Sequence, residues 1–406
     1  MRALAKDFSY DINRVFDFRT TGMAPPNRII FGCGAIDKIG EEAAQLAKGK
    51  ALLVSDEILE KIGTVDQIKG KLESAGFEVA IFAKVEPEPH IETAEAIYDQ
   101  FKDAGVAIMI GVGGGSVMDM TKLAAHGIAH GVSPGKYVEG EVKPEPRGLP
   151  LILAPTTSGT GSEVSPVFVV TVGKDKRFLN NPYFYSDISI VDPVLTVSMP
   201  PNVTASTGMD ALSHAIEGMM NKNANPLSDI LCLGGIELAG AYLRKAVADG
   251  EDLESRYYMA MASTISMMGM AMSGATYAHS VAYVISKYKP TAHGIGCALG
   301  LPYIMAYNIP VISGKLARVA AALGEVTENL SELDAAKLAA QSIYCLMQEV
   351  GLPVSLKEYG GIAESDLEAA AEMMLKLYSR PLNPRPMGRE EAIGFWQNMY
   401  EGTLGS

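Results

Sequence analysis

Along the first half of the chain, short apolar runs rich in β-branched residues alternate with stretches of helical character. The runs fall at 51–54, 79–82, 106–112, 149–153 and 168–172, and the helical stretches at 34–46, 66–74, 90–103 and 117–126. Strand–helix–strand alternation predicts a parallel sheet with helices on both faces, a doubly wound, Rossmann-like α/β domain. The texture changes at DPVLTVSMPP, 192–201. Strand-like runs become rare there, and helical stretches follow one another at 203–220, 225–249, 253–270, 315–323, 334–350 and 364–377. The pattern divides the chain into an α/β domain over 1–197 and an all-α domain over 198–406. A cleft between two such domains is a common place for a small-molecule site.

One stretch is long enough to cross a bilayer. Between 257 and 286 the only ionisable side chain besides the tyrosines is His279. However, the stretch carries Ser263, Thr264, Ser266, Ser273, Thr276 and Ser280, several glycines and no aromatic belt. That composition predicts a buried helix of a soluble core. The first residues, MRALAKDFSYDINRVFDFR, show no apolar core and no small-residue cleavage site, so no signal peptide is expected.

Composition narrows the partners. The 406 residues are 48% apolar and 20% charged, enough for two or three domains with a sizeable core. Lys+Arg number 34 against 47 Asp+Glu, a net charge of −13, which argues against nucleic acid or an anionic membrane surface. Cys33, Cys232, Cys297 and Cys345 are widely spaced with no C-x-x-C, so neither a disulfide framework nor a zinc ribbon is expected, and a reducing cytoplasm is the simplest setting.

Two loops could hold a nucleotide. The run 106–112 leads into Gly113-Gly114-Gly115-Ser116 and then directly into a helical stretch. Glycines admit close backbone approach, and a helix N-terminus offers free N–H groups to a pyrophosphate. A tight turn without a ligand fits the same four residues. A second loop, Pro155-Thr156-Thr157-Ser158-Gly159-Thr160-Gly161-Ser162-Glu163, follows the run 149–153 and is dense in hydroxyls and glycines. Its alternative is a polar turn that caps the next helix. Two such loops after parallel strands converge at the carboxyl edge of a sheet. Asp56 follows the run 51–54, where an acid accepts from ribose hydroxyls and repels a 2′-phosphate, favouring NAD over NADP. It also suits a helix N-cap.

The helical half carries metal-ligand chemistry. In TGMDALSHAIE, Asp210 and His214 stand four apart, on one face of a helix, and His279 and His293 follow in YAHSVAY and TAHGIG. Three imidazoles and a carboxylate suit Fe²⁺ or Zn²⁺ with open coordination positions. His126 and His130, also four apart, precede a Gly/Pro-rich turn and read as surface residues, and His90 reads as a neighbour of a helix N-cap.

Together, GGGSVMDMTK, PTTSGTGSEVSP, TGMDALSHAIE and the pair His279/His293 resemble the iron-containing (group III) alcohol dehydrogenase family, in the family's order from about residue 29 to 386. The resemblance implies a nucleotide-binding α/β domain followed by a helical metal-binding domain, an architecture shared with dehydroquinate synthase. It implies NAD-linked interconversion of alcohols with aldehydes or ketones, iron ahead of zinc, a small-molecule substrate and a homodimer or larger homo-oligomer. Carried over by residue, Asp210, His214, His279 and His293 match the metal ligands. Gly114, Gly115 and Ser116 match the pyrophosphate loop, with Asp119 and Lys122 on the helix behind it. Thr156, Thr157 and Thr160 match the second loop, Lys176 a lysine near the cofactor, and Asp56 the position whose acid disfavours NADP. An exposed edge strand at 28–31 could pair across a twofold axis.

The chain departs from the family where the substrate would lie. Many members carry a second histidine four residues after the one matching His279; here it is Tyr283, which fits either a proton relay or a wall against the nicotinamide. Lys287 and Arg380 stand where relatives tend to be uncharged. Two cationic groups there would grip a small aldehyde bearing a carboxylate, sulfonate or phosphonate; solvated surface charges are the alternative. A second reaction, a dehydroquinate-synthase-like elimination using NAD and metal, fits the same architecture.

Overall fold

A computed structural model of the chain describes residues 28–405. The N-terminal stretch in which no signal peptide is expected lies outside them. Six strands form one parallel sheet: β1 (Arg28–Phe31), β2 (Lys50–Val54), β3 (Glu78–Phe82), β4 (Val106–Gly113), β5 (Leu151–Pro155) and β8 (Ile188–Val191), in the order β1-β8-β5-β4-β2-β3. The central strand β4 pairs with β2 on one side and β5 on the other. Its Ile108, Met109, Ile110 and Val112 have no solvent exposure, each side chain worth about 1.5–3 kcal/mol of burial. Burial on both faces explains why β4 reads as a continuous apolar run rather than an alternating one.

The chain runs outward from β2 to β3, then returns to β4 on the other side of β2. The carboxyl ends of β2 and β4 therefore flank a topological switch point, where ligands bind in open α/β sheets. Asp56 leaves one strand there and the glycine loop leaves the other. The Ser55 hydroxyl donates to the Val112 carbonyl at 2.8 Å and ties the two ends together.

The apolar run at 168–172 forms a strand, but not in this sheet. As β6 (Val167–Val172) it pairs antiparallel with β7 (Asp175–Asn180), turning at Gly173, whose φ of +61° a side chain would strain. The hairpin packs over the helix Gly115–His130, where Val169 N–H donates to Asp119.

From Pro201 onward, among the described residues, the chain is helical. The helix Pro201–Met220 opens with proline at its first position and is buried along almost its whole length. It is surrounded by the helices Pro226–Ala248, Leu253–Ser273 and His293–Ala322. The stretch tested for membrane crossing is buried, as expected, but as two helices, Leu253–Ser273 and Tyr277–Tyr288, broken at Gly274 with φ +100°. The long helix His293–Ala322 kinks at Ile312, two residues after Pro310, so only its last part read as helical in the sequence.

His126 corrects the surface reading. It is 1% exposed, its ring packed against Tyr137 and Phe184 at 5.3 and 5.0 Å between centroids. An imidazole that stays neutral packs like an aromatic ring. Burial, with His130 beside it, pushes His126 from 6.5 down to about 4. The unfolded chain thus takes up this proton near pH 6.5 and the folded chain only near pH 4. The stability tied to neutral His126 is complete above pH 6.5 and drains away as pH falls toward 4, by about 2 kcal/mol allowing for solvent screening. Thermal melts from pH 7 to 4.5 should therefore fall less steeply in His126→Gln than in the native protein. Parallel curves would assign the acid loss to other groups.

Candidate metal and nucleotide site

The helix Pro201–Met220 carries Asp210, His214 and Glu217 on one face, at i, i+4 and i+7. His279 comes from the first turn of Tyr277–Tyr288, and His293 opens the next helix. The four sequence-predicted ligands converge. Asp210 Oδ1 stands 3.7 Å from His214 Nε2 and 3.8 Å from His293 Nε2. The His279 ring stacks on His214 at 5.1 Å and meets His293 edge-on at 5.3 Å.

Glu217 was not singled out from the sequence, although its i+7 spacing from Asp210 was visible. Its Oε1 accepts from Thr276 N, Thr276 Oγ1 and Ala278 N at 2.9, 2.6 and 2.9 Å, and its Oε2 takes His279 Nδ1. Burial alone would raise this carboxyl, but His279 and the donated hydrogen bonds outweigh it and hold Glu217 down to about 2. A carboxylate on Nδ1 fixes the ring and leaves Nε2 with its lone pair, the arrangement that metal-binding histidines use. Burial, with His279 beside it, pushes His214 down to about 3, so it too offers a lone pair at neutral pH.

Asp210 tests the fit to a cation. It is 2% exposed, and Oδ1 has no hydrogen-bond partner. Burial pushes its carboxyl up, only partly offset by His293 and His279. A buried carboxylate oxygen left without a hydrogen-bond partner is costly without a positive ion and favourable with one. The residues present fit a divalent metal.

The same cavity, of about 290 Å³, is lined on its other side by Gly115, Ser116, Asp119, Thr160 and Lys176. The two nucleotide loops interlock. A Cβ at Gly115 would lie 2.7 Å from Thr160 Cγ2, and one at Gly114 3.5 Å from Thr157 Cγ2. Thr156 N–H donates to Gly113 O at 3.0 Å. The Thr157 and Ser158 hydroxyls are buried with no hydrogen-bond partner, and of the predicted loop threonines only Thr160 lines the cavity. Lys122 is buried behind the cavity, while Asp119 lines it and shares a hydrogen-bond network with Lys122. Lys122 Nζ donates to Ser162 Oγ at 2.7 Å, and Ser162 Oγ donates to Asp119 at 2.6 Å, bracing one loop against the other. Burial, partly offset by Asp119 and Glu163, brings Lys122 down to about 8.

Asp56 is the N-cap of the helix Glu57–Lys61, accepting from Ile58 N and Leu59 N at 2.9 Å each. The capping alternative is realised, and the position at the switch point is kept. Lys176 lines the cavity and pairs with Glu88 at 2.5 Å. Glu88, also missed in the sequence, accepts from His293 N–H at 3.2 Å with its other oxygen.

The residues expected to face the substrate divide. Arg380 lines the cavity, its Nε donating to Ser280 Oγ at 2.9 Å. Lys287 does not line it: its ammonium pairs with Asp175 on the β6–β7 hairpin. Sequence spacing could not show that partner, 112 residues away. Tyr283 lines the cavity and lies flat against His293 at 5.6 Å, with the Tyr378 ring tilted against it at 5.2 Å. Burial pushes its phenol far up, which suits a packed wall better than a proton relay.

Residues 26–193 match the family described as iron-containing alcohol dehydrogenase, and residues 204–400 match its C-terminal family. The chain is 37% identical over 388 residues to long-chain-alcohol dehydrogenase 1 of Geobacillus thermodenitrificans, spanning 93% of this chain and 98% of that one. The structure of a 1,3-propanediol oxidoreductase superimposes with a TM-score of 0.89 at 34% identity, covering 94% of this chain and all of the other. Sulfoacetaldehyde reductase from Bifidobacterium kashiwanohense, in complex with NAD⁺, superimposes with a TM-score of 0.84 at 27% identity, covering 94% and 98%.

Proposed function

We propose, from the premise that this chain belongs to the iron-containing alcohol dehydrogenase family, that it interconverts a small polar alcohol and its aldehyde with NAD(H) and a divalent metal. The observation that carries this reading is one cavity shared by four metal-type donors, with an unpartnered buried carboxylate oxygen among them, and by a glycine loop at the sheet's switch point. When bound, the metal supplies Lewis acidity toward the substrate oxygen and the dinucleotide supplies the hydride chemistry. Asp210, His214, His279 and His293 would hold the metal, with Glu217 orienting His279. Ser116 and the loop 156–160 would receive the pyrophosphate, and Lys176 would stand beside the cofactor. Tyr283 would close one wall and exclude water. Edge strand β1 supports pairing with a second copy.

The cofactor preference rests on Asp56. Asp56→Asn keeps an N-cap acceptor and removes the charge. It should raise kcat/KM with NADPH about tenfold relative to NADH without lowering the melting temperature. A native protein that used both cofactors equally would overturn this assignment.

The substrate rests on Arg380, a cationic side chain in the cavity wall, and on the kind of aldehyde that names one relative. A guanidinium grips a carboxylate or sulfonate with two parallel hydrogen bonds, worth about 1.5–3 kcal/mol. An anaerobic NADH-consumption screen with Fe²⁺ or Zn²⁺ should favour an acid-bearing short aldehyde over a neutral one of equal length, roughly tenfold or more. Arg380→Ala should erase the difference. A native preference for the neutral aldehyde, or an unchanged ratio in the variant, would show that Arg380 reads no negative group. Failure to oxidise NADH with any aldehyde would favour the elimination chemistry instead.

A further inference from the structure

Cys297 lies one helical turn beyond His293, on the same face and with no solvent exposure. Its Sγ is 3.4 Å from His293 Nε2. That sulfur and one ligand atom each from Asp210, His279 and His293 all lie within 4.8 Å of one another. The same cluster holds the unpartnered Oδ1 of Asp210.

Two arrangements fit a sulfur at this distance from an imidazole nitrogen. With metal–sulfur near 2.3 Å and metal–nitrogen near 2.0–2.1 Å, a sulfur and an imidazole on one ion stand about 3.1–3.6 Å apart for angles from 90° to tetrahedral. The observed 3.4 Å lies inside that interval. The other arrangement is a thiol donating to His293 Nε2. It would occupy the lone pair that faces Asp210, and so remove His293 from the ligand set.

Resting on the metal reading, we propose that Cys297 Sγ is a further donor to the metal, beside Asp210 and the histidines. It binds as thiolate, its proton passing to solvent as the metal enters. A soft sulfur donor in an otherwise oxygen and nitrogen set biases the site toward Zn²⁺ over Fe²⁺.

The test uses the full chain, stripped with a chelator and loaded anaerobically with Co²⁺. Ligand-field bands in the visible report occupancy of the site. An intense near-ultraviolet band reports sulfur-to-cobalt charge transfer. One equivalent should give both in the native protein, and Cys297→Ser should keep the first and lose the second. The variant's preference for Zn²⁺ over Fe²⁺ should fall at least about tenfold. Ligand-field bands without charge transfer, or charge transfer that survives in Cys297→Ser, would overturn the role of Cys297 and leave the metal reading standing. No stoichiometric Co²⁺ binding would overturn the metal reading itself. Should Cys297→Ser not fold, X-ray absorption at the cobalt edge of the native protein decides the matter: one sulfur neighbour supports the proposal and none refutes it.

Discussion

His279→Ala is expected to abolish metal retention and to lower kcat/KM by about 10³-fold or more, the worth of several kcal/mol of Lewis-acid stabilisation. The ring would contribute one donor directly, and it packs against two others through its stacking on His214 and its edge contact with His293. The fold should survive. Glu217 keeps its three hydrogen bonds from Thr276 and Ala278 and loses only the partner of Oε2. One buried oxygen left unpaired costs about 1–3 kcal/mol, well short of unfolding a chain this size. Metal analysis after anaerobic reconstitution, beside a melting curve, separates the two effects. A variant that keeps full metal and full turnover would place the site elsewhere.

Gly294→Ala is expected to damage the same site without touching a ligand. A Cβ there would lie 2.1 Å from the carbonyl oxygen of Ser206 and 3.2 Å from Asp210 Cβ. Backbone cannot step aside as a side-chain tip can. The start of His293–Ala322 must therefore move off Pro201–Met220, carrying His293 away from Asp210. Overpacking of this kind costs about 1–3 kcal/mol, and loosening a ligand's support costs about 10–100-fold in metal affinity. Calorimetry and a metal titration on the variant test both parts. Native values in both would mean that the two helices part without consequence for the donors.

The sequence made legible whatever is encoded by local periodicity. Alternating strands and helices, the glycine loop after β4 and the Asp210/His214 pair each depend on residues close together in the chain, where spacing is informative. What it concealed depends on partners distant in the chain. The strand β7 is largely polar and half exposed, so nothing in DKRFLN announces a partner for β6. Lys287 and Arg380 looked equivalent, yet a hairpin aspartate claims one and leaves the other facing the cavity. His126 looked exposed beside a turn, but Tyr137 and Phe184 close over it. Glu217 and Cys297 were visible by spacing. Their significance emerges only when three helices bring His279, Asp210 and His293 together.

Among the described residues only Glu88 and Arg147 carry a positive φ without being glycine. At Glu88 the value is +54°, a conformation that costs a side-chain-bearing residue about 1–2 kcal/mol. Glycine would remove that cost. It would also remove the carboxylate that holds Lys176 on one side and the N–H of His293 on the other. Position 88 therefore sets backbone strain against two contacts that align Lys176 and His293, and Glu88→Gly should relieve the first while loosening the second.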